Sequence, residues 1–185
     1  MYVSILLFSL AFLLLAYFTF RVIIKRDYKI RSNLSTTSYV MEIIVFAIHA
    51  NMFYLFIESK WPYLPQLPEN LIIRLISIFI FGVGITVLLI SWFDLGTNQS
   101  LGIDKNKLKT DGLYKYSRNP QLVGYGLMLF SFAFLFFSWL IIIWIIIYLI
   151  ASYFMIISEE EFLETKYQQE YKAYCEKVPR GIKIF

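Results

Sequence analysis

The chain has 185 residues, of which 59% are hydrophobic, 19% aromatic and only 16% charged, with a mean hydropathy of +0.64 and a formal net charge of +4. Soluble domains carry about a quarter charged residues, so the composition excludes a soluble globular protein and points to an integral membrane protein. The single cysteine, Cys175, excludes an internal disulfide, and one cysteine with one histidine, His49, cannot assemble a typical transition-metal site.

Tyr2 to Ile24 is apolar apart from Arg21 and small hydroxyls, and at roughly 1.5 Å per residue it crosses a hydrocarbon layer about 30 Å thick. With no basic n-region and no small-residue cleavage site, it is expected to be a retained span. A basic loop, Arg21 to Arg31, follows. Tyr39 to Ile57 is a second span, interrupted by Glu42, His49 and Asn51. The segment Glu58 to Asn70 holds Pro62, Pro65 and Pro68 with Trp61 and Tyr63, which suits an extended interfacial connection. Leu71 to Phe93 is a third span, with Arg74 placed to snorkel toward the interface. Asp94 and Asn98 lie at its exit, where helix capping is the expected role. After the polar, turn-forming stretch Asp111 to Gln121 come 36 residues without a charge, Leu122 to Ile157. One helix of that length would be about 54 Å long. The expectation is two short helices folded back as a hairpin, with the turn near Ser138 and Trp139.

Ser158 and Glu161 have the spacing of a capping box, which would put Glu159 and Glu160 in the first turn of a cytoplasmic helix or of an extension of the last span. Phe162, Leu163, Tyr167, Tyr171, Tyr174 and Val178 recur at helical spacing and form a packing stripe, and Pro179 ends it.

Charge asymmetry supports five spans. The segments Arg21 to Arg31, Lys105 to Arg118 and Lys166 to Lys183 each carry five Lys/Arg, so all three are expected on the cytoplasmic side. That requires an odd number of crossings, with the N-terminus outside and the C-terminus cytoplasmic. The expected fold is all-α and polytopic, one membrane domain over 1–185.

Two polar clusters bracket the hairpin and become neighbours if it folds back. Tyr114 to Gly124 supplies a cation (Arg118), an amide (Asn119), a rigid turn (Pro120), a close-approach glycine (Gly124) and aromatic faces (Tyr114, Tyr116). Glu159 to Arg180 supplies carboxylates and a second cation. Such a mixture suits a zwitterionic, aromatic small molecule, with tyrosine faces for a purine or sulfonium and a carboxylate for an ammonium.

Gly112-Leu113-Tyr114, Arg118-Asn119-Pro120 and Gly124, then Glu159-Glu160, Leu163, Tyr167, Tyr171, Tyr174 and Val178-Pro179-Arg180, resemble the isoprenylcysteine carboxyl methyltransferase and phospholipid methyltransferase group. The resemblance covers Gly96 to Arg180, and the first three spans show nothing specific. It implies that 94–185 is a core binding S-adenosylmethionine, leaving S-adenosylhomocysteine as product, with a membrane lipid or lipid-like amphiphile as methyl acceptor. It further implies that the cofactor is held by Gln99, by the segment Asn106, Lys107, Leu108 and Lys109, and by Tyr114. Arg118, Asn119, Pro120, Gln121 and Leu122, with Gly124 beyond them, and the acidic pair Glu159 and Glu160 complete the set; Arg118, Glu159 and Glu160 are also the catalytic candidates. Asn119 stands where histidine is commonest, and Leu122 replaces a tyrosine. Gln168 replaces a glycine after Tyr167, an exchange to which no chemical role is attached. Met155 stands where the prenylcysteine enzymes resemble one another in carrying an arginine for the substrate carboxylate, which argues against a prenylcysteine acceptor.

Plainer readings compete. Arg118 to Pro120 could be an interfacial anchor and helix start, Glu159 and Glu160 dipole partners only, and Glu42 with His49 a polar contact between spans. The basic segments are explained by topology and anionic lipid, with no nucleic-acid motif beside them. The alternatives to methyl transfer are a sterol-type membrane reductase using NADPH and a non-catalytic lipid-binding scaffold.

Overall fold

The computed structural model describes residues 2–57, 63, 65–95 and 108–183, and every regular element among them is helical. Helix α1 (Tyr2–Arg31) is 30 residues long, about 45 Å. The first basic segment is therefore not a loop but the helix's own polar end, because its charges find partners along the helix flank. The turns Phe18–Ile24 are π-helical, and there the Phe20 carbonyl accepts a second bond, from Ser158 Oγ at 2.8 Å. Ser32, at φ 59, closes the helix with its N–H on the Tyr28 carbonyl at 3.2 Å. Asp27 is buried, and its Oδ2 accepts from the Ser35 N–H at 2.8 Å and Ser38 Oγ at 2.5 Å. Those donors satisfy an otherwise costly buried carboxylate and aim the chain into α2.

Helix α2 (Thr36–Phe56) starts at Ser35, whose Oγ accepts from the Ser38 N–H. Helix α3 (Leu71–Leu95) starts at Asn70, whose Oδ1 accepts from the Ile72 N–H at 2.9 Å, and Arg74 Nε donates to the Pro68 carbonyl. The buried residues of α3 are Ser77, Gly84 and Ser91, seven apart on one narrow stripe. Much of its remaining surface is exposed and apolar, as suits contact with lipid.

Helix α4 (Pro120–Leu135) lies on that stripe. A Cβ on Gly124 would sit 2.6 Å from Leu88 N, and one on Gly84 would sit 2.8 Å from Gly124 O, so the two backbones are nearly in contact. Pro120 opens α4 at a position where its missing N–H costs nothing. After Phe136, Ser138 Oγ accepts from the Ile141 N–H at 3.3 Å and starts α5 (Trp139–Lys177), which places the turn where Ser138 beside Trp139 suggested it. Helix α5 returns along α4: Tyr148 Oη donates to the Leu122 carbonyl at 2.5 Å, and the Tyr125 and Tyr148 rings are 5.2 Å apart. Helices α1, α2, α3 and α5 are long and apolar enough to cross a membrane, while α4, at 16 residues, is shorter.

Two expectations for the C-terminal part change. Helix α5 runs through Ser158 without a break, so Ser158 caps nothing; its hydroxyl instead links α5 to α1 through Phe20 and Arg21. Glu159 and Glu160 consequently lie mid-helix, beyond the reach of an N-terminal dipole. Gln168 adopts φ 44 and ψ −114, a break in the helix at a positive φ that favours glycine, so this position has a conformational consequence.

His49 sits in the core. Its ring stacks on Trp144 at 5.1 Å, with Nδ1 3.1 Å from Tyr125 Oη and Nε2 3.2 Å from the Trp144 carbonyl. Trp144 Nε1 in turn donates to the His49 carbonyl at 2.9 Å. This is a satisfied polar contact joining α2, α4 and α5.

Candidate active site

The hairpin brings the two polar clusters together. The backbone N–H of Arg118 donates to the Pro179 carbonyl at 3.0 Å, and that of Lys183 to the Tyr116 carbonyl at 2.8 Å. Asn119 Nδ2 and Ser117 Oγ both donate to the Arg180 carbonyl, at 3.1 and 3.3 Å. These bonds latch the segment before α4 to the chain after α5. Upstream, Gly112, at φ 59, opens a 3-10 turn (Gly112–Lys115); a Cβ there would lie 2.1 Å from Asp94 Oδ2. Asp94 accepts from the Leu113 N–H at 3.3 Å and so ties the end of α3 to this turn.

Three consecutive acids on α5 face three ways, as about 100° per residue dictates. Glu161 meets Arg21 at 2.9 Å and Lys25 at 2.6 Å, tying α5 to α1. Glu160 takes Arg118 Nη1 on one oxygen at 2.8 Å and Arg180 Nη2 on the other at 2.6 Å. Its hydrogen bonds raise the pKa of the Arg180 guanidinium above the ordinary value. Glu159 lines a cleft beside them.

That cleft is bounded by α1, α2, the end of α3, the segment before α4, the start of α4, and α5. Its polar wall includes Lys109, Tyr114, Arg118, Asn119 and Gln121, faced by Glu159 and Glu160. Tyr28, Tyr167, Tyr171 and Tyr174 supply aromatic surface, and Glu42, Leu122 and Met155 close its inner end. Arg118 Nη1 lies 3.4 Å from Tyr171 Oη and 2.8 Å from Cys175 Sγ. Two buried donors in this wall, Arg118 Nε and Gln121 Nε2, have no hydrogen-bond partner among the described residues. Native proteins rarely leave buried donors orphaned, and both residues border this cleft, whose chemistry therefore suits an acceptor-bearing ligand.

Of the residues implied by the sequence, Leu108, Lys109, Tyr114, Arg118, Asn119, Gln121, Leu122, Glu159 and Glu160 meet here. Leu108 is also packed with Tyr171, Tyr174 and Val178. Pro120 and Gly124 do not line the cleft; Gly124 makes its close approach to α3, because its missing side chain faces Leu88 and Gly84. Gln99, Asn106 and Lys107 lie outside the described residues. The sequence reading paired Glu42 with His49, yet the structure separates them, sending Glu42 to the cleft and His49 into the core. Tyr28 was not anticipated, since nothing local marks it; it enters by stacking on Phe162 at 4.4 Å. The tyrosine stripe read as packing also lines the cleft, at Tyr167, Tyr171 and Tyr174.

Residues 72–170 match the family model of phospholipid methyltransferase, a segment that begins in α3, earlier than the motifs indicated. No curated protein and no solved structure matches the chain.

Proposed function

Because the chain belongs to the phospholipid methyltransferase family, and is thus an integral membrane methyltransferase, we propose that it transfers a methyl group from S-adenosylmethionine to a lipid or amphiphile taken from the bilayer. The observation that carries this reading is the pair of orphaned donors, Arg118 Nε and Gln121 Nε2, in a cleft that also presents a carboxylate and several tyrosine faces. The donor set fits the cofactor's chemistry: buried N–H groups for a carboxylate, Glu159 for an ammonium, and aromatic faces for a purine and a sulfonium. When bound, S-adenosylmethionine supplies the activated methyl group. The protein's own residues align donor and acceptor and keep water from the site.

Within that reading Glu160 and Arg118 have a shared role. Glu160 takes both guanidiniums and so holds Arg118 in the cleft wall. Glu159 carries the ammonium contact. Orientation follows from the basic segments, with the N-terminus outside and the cleft on the cytoplasmic side. The family match lends nothing to the reductase or scaffold alternatives. Titration calorimetry on purified protein tests the proposal: heat on adding S-adenosylhomocysteine and none with NADPH is expected, and the reverse pattern rejects it.

A further inference from the structure

One turn of α5 is held from a single side. Ser158, Glu161 and Phe162 are spaced to share one face of the helix, and all three meet α1. Ser158 Oγ donates to the Phe20 carbonyl at 2.8 Å and accepts from Arg21 Nη1 at 3.1 Å. Glu161 takes Arg21 Nη2 at 2.9 Å and Lys25 Nζ at 2.6 Å, and Phe162 stacks on Tyr28 at 4.4 Å. Arg21 joins the two polar contacts, one guanidinium nitrogen on each. Ser158 and Phe20 are buried, so the Arg21 bond to Ser158 is shielded from water, whereas ion pairs at an exposed rim contribute little.

The two residues inside this held turn are Glu159 and Glu160, both in the wall of the cofactor cleft. Successive residues on a helix are about 100° apart, so pinning the face of Ser158 and Glu161 to α1 sets the directions of the two carboxylates between them. The π-helical turns Phe18–Ile24 supply the pinning geometry, and the Phe20 carbonyl there also takes the Lys25 N–H, five residues on. Wide turns of this kind are concentrated at functional positions. Helix α1 lies outside residues 72–170, so the family match assigns it no role.

Resting on the methyl-transfer reading, we propose that Arg21 is a positioning residue for the cofactor site. Acting through Ser158 and Glu161, it holds α5 at the rotation that keeps Glu159 in the cleft wall. A helix outside the matched segment thereby completes the site.

Titration calorimetry with S-adenosylhomocysteine on the full-length protein tests this in wild type, Arg21→Gln, Glu159→Ala and the double variant. Arg21→Gln should bind about fivefold more weakly, approaching the loss expected of Glu159→Ala. Arg26→Gln, the same change at an exposed residue of the same helix, should bind as wild type. In the Glu159→Ala background, Arg21→Gln should cost less than about twofold, because the group it aims is gone. A role confined to holding the helices together would lower affinity by the same factor in both backgrounds, and that result overturns the inference. Wild-type affinity in Arg21→Gln, or an equal loss in Arg26→Gln, overturns it too. Should Arg21→Gln not fold, Ser158→Ala keeps the ion pairs and carries the same cycle, with an expected loss of about threefold that disappears in the Glu159→Ala background; losses that multiply overturn the inference. Each of these results leaves the methyl-transfer reading standing. Failure of wild type to bind S-adenosylhomocysteine overturns that reading and this inference with it.

Discussion

Replacing Gly124 by alanine should separate α3 from α4 and cost the protein stability, while the same change at Gly82 should not. At Gly124 the added carbon would lie 2.6 Å from Leu88 N and 2.8 Å from Gly84 O, where ordinary contact begins at 3.4 Å, so the helices must part by about 0.8 Å (3.4 minus 2.6). Both obstacles are backbone atoms that no rotamer change can move. Overpacking of this kind costs about 1–3 kcal/mol, against a helix-propensity gain for alanine over glycine of roughly 0.5–1 kcal/mol. The net expectation is a loss of about 1–2 kcal/mol, or a Tm lower by several degrees at roughly 2–4 °C per kcal/mol for a chain of this size. A Cβ on Gly82 meets nothing within 4 Å, so Gly82→Ala should melt at or slightly above wild type. Thermal melts of the three proteins in one detergent decide it. A Gly124→Ala protein as stable as wild type would show that the α3–α4 contact is not a backbone-to-backbone seam.

Glu159→Ala and Asn119→Ala should each weaken S-adenosylhomocysteine binding by about tenfold with melts close to wild type, since one removes a charged contact of roughly 1.5 kcal/mol and the other a latch to Arg180; wild-type affinity in both would contradict the placement of the cleft. Glu160→Gln should lower stability by about 1–3 kcal/mol because Arg118 loses its counter-charge in a half-buried setting, the exposed Arg180 contributing little; a melt unchanged from wild type counts against that role. Gln168→Gly should raise the melting temperature by relieving a positive φ worth about 1 kcal/mol, whereas Gln168→Ala should not; equal melts for the two would show that the kink is unstrained.

What the sequence determined by itself is what one dimension can carry. Span length against bilayer thickness is a property of consecutive residues, so Leu71 to Phe93 and the overlong uncharged run could be read directly, and so could the fold-back that an unbroken 36-residue helix would forbid. Charge asymmetry added the same fold-back independently. The structure then brings Arg118 within 2.8 Å of Glu160 across a turn at Ser138. What only the tertiary structure decided is which partner each polar side chain meets. Ser158 has the local spacing of a cap but spends its hydroxyl on Phe20, 138 positions away, because α1 lies beside it. Glu42 and His49 share one helix, yet Glu42 borders the cleft while His49 packs on Trp144 in the core. Gly124 reads as room for a ligand and proves to be room for a neighbouring backbone. In a bilayer the apolar pattern says little about which face meets lipid and which meets protein, because both are equally greasy; that choice is made by packing, and packing is decided between segments far apart in the chain.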